Sequence, residues 1–326
     1  MLLPELSRGQ AADFVKGADV GWLPQMEASG YQFSDRNGEK QDCLAILKQY
    51  GINTIRLRVF VNPSQNPRSG HCRRDEVVAM AERASKQGFR ILIDFHYSDS
   101  WADPGKQTKP KAWAHHDINQ LKEDVYHHTQ DVLLALGKRG VTPEWVQIGN
   151  EIPNGMLWPE GSAKNTADLV ALINEGYRAV KEINPRIKVI VHLDKGWNGP
   201  LYRWFFDRFF ANGGKCDVIG MSYYASALLP DSEKMIHSLG VNLREMASRY
   251  PVEVMVVETG ELSTEPLKSR EKLTAVIQAV RSVPDHKGLG VIYWEPEGVT
   301  SWSHYKMNCW NENGRPTEAL NAFQEN

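Results

Sequence analysis

Cysteine is scarce in this 326-residue chain: there are 4, and Cys43, Cys72, Cys216 and Cys309 are far apart with no CxxC pair. Such spacing speaks against a zinc site or a redox pair. A fold of this size does not need a disulfide to hold its core. No apolar run is long enough to span a bilayer, so membrane insertion is not expected. Neither sign of charge is in excess. With 38 Lys plus Arg against 40 Asp plus Glu the formal net charge is -2, which gives no bulk attraction for nucleic acid, polyphosphate or a membrane surface. The GxGxxG and GxxxxGK[ST] phosphate loops, the HExxH zinc helix and the GxSxG nucleophile elbow are all missing, so the common signatures of nucleotide binding, metalloproteolysis and serine hydrolysis are absent. The opening MLLPELSRGQAADF has neither the charged nor the apolar region of a signal peptide.

What is present is a repeating pattern. Amphipathic stretches end in Gly or Pro, and short apolar stretches follow that close on polar or aromatic residues. Strands are expected near 17–20, 54–59, 90–97, 145–151, 188–193, 217–224, 253–258 and 290–297. Their interiors, such as ILIDF, VIGM, VMVV and VIYW, suit a sheet covered on both faces. Helices are expected over 42–50, 74–87, 121–138, 167–183, 201–211, 243–249 and 267–280. Strand alternating with helix eight times, at intervals of roughly 40 residues, fits a single (β/α)₈ TIM barrel of α/β class. A doubly wound open sheet is the competitor. It usually carries a Gly-rich loop after its first strand, whereas this chain reads ADVGWLPQMEASG there. No linker or second composition regime interrupts the chain, so one catalytic domain over 1–326 is expected.

In a barrel of this kind the loops leaving the strand C-termini build the active site. The polar residues of this chain fall there: Arg56 and Arg58; Asp94, His96 and Tyr97; Asn150 and Glu151; His192 and Asp194; Tyr223 and Tyr224; Glu258; and Trp294, Glu295 and Glu297. Glu151 and Glu258 each follow an apolar strand, and two carboxylates on separate strand ends are what glycosidic hydrolysis needs. One protonates the leaving oxygen, and the other attacks the sugar or activates water. Either could instead cap a following helix, but Asn150 beside Glu151 favours chemistry, since its amide can bind a sugar hydroxyl. Arg56 is the expected partner that keeps Glu258 ionised, and His96 is expected to bind substrate or support the site. The 10 Trp and 11 Tyr offer faces for sugar rings, although most aromatics are core. Asp94, His96, His192 and Asp194 are potential metal ligands. The first strand, GADV, lacks the HxH pair of barrel metallohydrolases, so neither a metal nor any other cofactor is expected.

The run DFHYSDSWADPGKQTKPKAW at 94–113, together with GADV, TIRLRV, GNEIPNGMLWPEG, DVIGMSYY, VVETG and YWEPEG, resembles glycoside hydrolase family 53, the endo-β-1,4-galactanases. The likeness runs in order from Gly17 to about Glu297. It implies a TIM barrel and a retaining mechanism with Glu151 as general acid/base and Glu258 as nucleophile. Asn150, Arg56, His96 and Trp294 match active-site positions. A Tyr after strand six is implied to bond the nucleophile, with Tyr223 favoured and Tyr224 the alternative. Asp99, Trp101, Asp103 and Trp113 are implied to shape the glycone side or support it, and Glu295 to bind substrate or support the site. Four departures stand out. Phe60 occupies a place where the family often has Trp, and the following loop, 64–72, is short. The stretch TGELSTEPLKSR is too short and ligand-poor for the calcium loop of some bacterial members, so no calcium is carried over. The tail GVTSWSHYKMNCWNENGRP differs from the expected pattern.

The expected activity is therefore internal cleavage of β-1,4-galactan, or type I arabinogalactan, to galacto-oligosaccharides by a monomer. The two carboxyl groups are expected about 5–5.5 Å apart, as in retaining enzymes. Trp158, Trp197 and Trp302 are candidate stacking platforms. A polymeric substrate implies an extracellular, periplasmic or cell-surface location. A related barrel acting on mannan or xylan, or a carbohydrate-binding barrel without turnover, are the alternatives.

Overall fold

Strands and helices alternate through the described residues, 14–66, 71–224 and 232–324, of a computed structural model. The opening segment considered as a leader, residues 1–13, lies outside them, as do 67–70 of the loop after the second strand. Eight strands are present: β1 (Val15–Asp19), β2 (Thr54–Val59), β3 (Arg90–Phe95), β4 (Trp145–Ile148), β5 (Lys188–Leu193), β6 (Val218–Tyr224), β7 (Glu253–Gly260) and β8 (Gly288–Trp294). They pair in chain order, and parallel β1–β8 pairing closes the barrel. The α/β barrel read from the alternation is the fold observed.

Nine α-helices lie among the described residues: α1 (Leu23–Ala28), α2 (Cys43–Gln49), α3 (Arg74–Lys86), α4 (Ile118–Lys138), α5 (Thr166–Ile183), α6 (Gly199–Ala211), α7 (Ser232–Arg249), α8 (Pro266–Arg281) and α9 (Thr300–Ser303). Local chemistry starts several of them. The Asp42 carboxylate accepts from Leu44 N at 2.7 Å at the head of α2. Asp117 and Gln120 form a reciprocal capping box on α4, which therefore begins three residues before the expected 121. Helix α7 is much longer than the expected 243–249, and α1 and α9 were not anticipated.

Strands β3, β4 and β8 end earlier than expected, whereas β7 runs on to Gly260. Tyr97, Glu151 and Glu295 have positive φ of 47°, 46° and 46°. This left-handed backbone is uncommon for residues with a side chain and cannot continue a strand. The expected 90–97, 145–151 and 290–297 are thus cut to ends at Phe95, Ile148 and Trp294, and the turns present the polar residues beyond.

Two apolar regions hold the barrel. The larger lies between the sheet and the helices. The smaller fills the interior with Val15, Leu92, Trp145, Ile190, Val218, Met255, Val257 and Ile292. Each buried side chain of this kind contributes about 1.5–3 kcal/mol. Side chains alternate along a strand, so inward positions further along are Asp94 after Leu92, Gln147 after Trp145, and His192 after Ile190. The interior changes from apolar to polar toward the strand C-termini. One irregularity matters: Met221 pairs with Val256 but Ser222 pairs with Glu258. The bulge lets Val257 pack in the interior cluster while the next residue, Glu258, also meets the inward-facing Arg56.

Cys43, Cys72, Cys216 and Cys309 are free thiols. Among the described residues no helix is long and apolar enough to cross a membrane.

Candidate active site

A cavity of about 310 Å³ opens at the C-terminal mouth of the barrel. His96, Trp101, Ala102 and Asp103 line it from β3 and its loop, and Asn150 and Glu151 from the end of β4. Tyr224, Glu258 and Trp294 line it from β6, β7 and β8, with Tyr305 and Met307 from the tail. Its size lies at the lower end of the range for small-ligand sites, and its walls combine aromatic faces with two carboxyl groups.

Glu258 is held by charge. Arg56, fully buried, places Nη2 at 2.8 Å from Glu258 Oε1. The same guanidinium pairs with Asp19 Oδ2 at 2.6 Å and Asp94 Oδ2 at 2.9 Å, and donates to Asn150 Oδ1 at 3.1 Å. Arg56, the expected charge partner, thus lies against Glu258. Burial raises the Glu258 carboxyl above its ordinary value, and the Arg56 charge opposes that rise. Asp94 is held below its ordinary value: burial works against this, but Arg56 and His96 outweigh it. The His96 ring accepts from Ala102 N at Nδ1, 3.0 Å, so its proton lies on Nε2, 3.0 Å from Asp94 Oδ2.

Glu151 has different surroundings. Among the described residues no ion pair reaches it. Ser222 Oγ donates to its Oε1 at 2.5 Å. Burial, followed by the nearby Glu258 charge, pushes its carboxyl up to about 8. The two carboxyls therefore divide their tasks by environment: Glu151 keeps a proton at neutral pH, and the negative charge rests beside Arg56.

One site expectation needs correction. Tyr224, not Tyr223, bonds the nucleophile candidate, with its hydroxyl 3.0 Å from Glu258 Oε2. The reason is pleat parity. Ser222 faces Glu151 inside the mouth, so Tyr224, two residues on, shares its face. Tyr223 points the other way and is buried in the core between sheet and helices. Tyr224→Phe should lower kcat/KM about 10–100-fold, the worth of one hydrogen bond to a charged group. Tyr223→Phe should change it less than about threefold; steady-state kinetics on both variants checks the assignment.

The structure brings Asn150, Arg56, His96, Trp101, Trp294 and Tyr224 to the two carboxyls. Asp99 stands apart from the cavity and joins two loops, accepting from Asn62 N and Lys111 N, both at 2.9 Å. Glu295 is buried beneath the mouth, where it pairs with Arg58 and accepts from Trp22 N at 3.1 Å. It is a support rather than a cavity wall. Asp103 lines the cavity, whereas Trp113 is buried against His128. Trp158, Trp197 and Trp302 are not among the lining residues; Trp302 instead donates to Ser29 Oγ at 2.9 Å. Phe60 packs edge-on against His96 and Trp101, with ring centroids 5.1 and 5.6 Å away.

Several residues at the mouth carried no sequence expectation. Asp19 bridges Arg56 and Arg58, and a lone charge within the otherwise apolar GADV segment was its signal. Gln147 is polar within the apolar strand β4 and is fully buried. Tyr305 meets Trp294 edge-on, centroids 4.8 Å apart, and no local pattern in the tail marks it. Among the described residues no group of three or more His, Cys, Asp or Glu could hold a metal ion.

Residues 15–325 match the profile described as Glycosyl hydrolase family 53. The chain is 35% identical over 320 residues to arabinogalactan endo-beta-1,4-galactanase A of Aspergillus niger, covering 91% of this chain and 88% of that one. Among solved structures, the GH53 catalytic domain of Ignisphaera aggregans superposes with a TM-score of 0.88 at 33% identity, covering 97% of each chain. A fungal beta-1,4-galactanase superposes with a TM-score of 0.87 at 31% identity, over 96% of this chain and 99% of that one. With a profile match across nearly its whole length and relatives above 30% identity covering most of the chain, the chain belongs to glycosyl hydrolase family 53.

Proposed function

We propose that this protein cleaves β-1,4-galactan within the chain, with retention at the anomeric carbon. The observation that carries the reading is the pair of carboxyls in one cavity with opposite electrostatic settings. Glu258 is bonded to Arg56 and Tyr224, while Glu151 has no paired cation and holds its proton up to about pH 8. In the first step the Glu258 carboxylate attacks the galactosyl C1. The C1–O bond breaks, and the leaving oxygen takes the Glu151 proton. In the second, the Glu151 carboxylate removes a proton from water, the water oxygen attacks C1, and Glu258 departs.

The surrounding groups fit these steps. Asn150 spends one amide hydrogen on Ala102 O at 2.8 Å, and its NH₂ carries a second for a sugar hydroxyl beside the reacting carbon. Trp294 and Trp101 offer apolar walls to the ring. The galactan substrate is carried over from the printed activity of the Aspergillus niger and fungal relatives. We expect the enzyme to act as a monomer, in one catalytic domain, and outside the cytoplasm where the polymer is found.

A time-resolved digest of unbranched β-1,4-galactan, run beside mannan and xylan, tests the substrate. Early mixed short galacto-oligosaccharides are expected. Galactose alone would mean exo action. Breakdown of mannan or xylan but not galactan would overturn the substrate while leaving the two-carboxylate chemistry intact.

A further inference from the structure

Beneath Glu151 lies a chain of buried polar groups that the reaction scheme does not use. Its direction can be worked out from groups that cannot reverse. Arg56 is only a donor, and its Nη2 lies 3.2 Å from Gln147 Oε1. Asp94 is only an acceptor here, and its Oδ1 lies 2.6 Å from Gln147 Nε2. The Gln147 amide is therefore oriented, with Nε2 as the donor.

Gln147 Nε2 also lies 2.9 Å from His192 Nδ1, and the Glu151 backbone N–H donates to the same nitrogen at 3.4 Å. Two donors facing Nδ1 leave it without a proton. Asn150 Oδ1, 3.1 Å from Nδ1, has two lone pairs, and Arg56 Nη2 at 3.1 Å and Gln147 Nε2 at 3.2 Å both donate to it. The ring proton of His192 then lies on Nε2, 2.8 Å from Ser222 Oγ. Ser222 has a single hydrogen, so it must turn that hydrogen to Glu151 Oε1 at 2.5 Å. His192, Gln147 and Ser222 are all buried, which removes water as an alternative partner.

We propose that His192 and Ser222 are positioning residues for the acid/base, forming with Gln147 a one-way hydrogen-bond chain from Arg56 that ends by donating to Glu151 Oε1. The transferable proton is thereby confined to Oε2. The inference rests on the reading of Glu151 as the acid/base. In both half-reactions Oε1 stays an acceptor, so one oxygen gives up the proton and receives it back. The chain also joins the two carboxyls through Arg56, which binds Glu258 at its other side.

The groups that set the Glu151 titration come from every neighbouring element. They are Glu258 from β7, Arg56 from β2, Asp194 and His192 from β5, Ser222 and Tyr224 from β6, and Tyr202 from α6. Burial keeps His192 neutral, holding it well below its ordinary value. Of these, Ser222 is the group that donates to the Glu151 side chain and so favours its charged form.

The test is the kcat/KM–pH profile of the unaltered enzyme and Ser222→Ala on two substrates: galactan, and 2,4-dinitrophenyl β-galactobioside, whose leaving group needs no proton. For Ser222→Ala on galactan, a loss of about 10–100-fold and an upward move of the alkaline limb by about one pH unit are expected. The aryl substrate should lose less than about threefold. Equal losses on both substrates with an unmoved limb would indicate a packing role and overturn the proposal. So would an unchanged galactan rate. Failure of the unaltered enzyme to cleave galactan would instead overturn the parent reading, and this one with it.

A second measurement does not depend on the variant folding. In ¹⁵N-histidine-labelled unaltered enzyme, His192 should show a protonated Nε2 and an unprotonated Nδ1 across the alkaline limb. The opposite tautomer contradicts the chain.

Discussion

Glu258→Gln is expected to leave the barrel folded and to lower kcat on galactan by about 10⁴-fold or more, the scale seen when a covalent nucleophile is removed. The amide keeps the shape of the carboxyl but cannot attack C1. It also removes one of the three carboxylates paired with Arg56 while Asp19 and Asp94 remain, so the guanidinium keeps partners and the fold keeps its support. Thermal unfolding should therefore change little. Glu258→Ala adds a sharper reading. Azide entering the vacated space attacks C1 from the same face and should give α-galactosyl azide from an activated galactobioside. Residual galactan turnover within about tenfold of the unaltered enzyme would place the nucleophile elsewhere.

Glu151→Gln carries the second large effect. Galactan cleavage should fall about 10²–10⁴-fold, the usual contribution of a positioned general acid. The kcat/KM for a dinitrophenyl galactobioside should hold nearly unchanged, because that leaving group departs without a proton. The pH profile supplies the sign. Glu151 titrates at about 8, raised by burial and by Glu258. Below that pH it is protonated and can donate; above it the proton is lost and the rate on galactan falls. The alkaline limb near pH 8 should be missing from Glu151→Gln. A limb that survives the substitution would mean that another group donates the proton.

Much of the barrel is legible in the chain because its strands are buried on both faces and their centres are apolar and β-branched. The strand ends are less legible. His96-Tyr97 follows Phe95 and Gly149-Asn150-Glu151 follows Ile148; positive φ at Tyr97, Gly149 and Glu151 turns the chain out of the sheet, and of these only Gly149 is a residue type that announces it. The two carboxylates could be named because a charge at the end of an apolar run stands out, and Arg56 because a charge inside strand TIRLRV needs a buried partner.

The Tyr223 expectation failed on a count of parity. The sequence MSYY places Ser222 and Tyr224 on one face, and alternation carried from Val218 through Gly220 would have selected Tyr224. The β6–β7 bulge is the opposite case. It lets Val257 and Glu258 both serve the interior, and no residue type at that point marks it. Gln147, His192 and Ser222 were visible as polar letters within apolar strands. Their single line of hydrogen bonds depends on the barrel bringing β4, β5 and β6 side by side, which only the closed sheet shows.

The most direct test of the central account is proton NMR of a galactan digest, followed from the first minutes by the anomeric signals of the new reducing ends. A double displacement through Glu258 predicts that the β-anomer appears first and the α-anomer grows only at the rate of mutarotation. Initial formation of the α-anomer would mean inversion, with water attacking C1 directly, and would contradict the assignment of Glu258 as a covalent nucleophile.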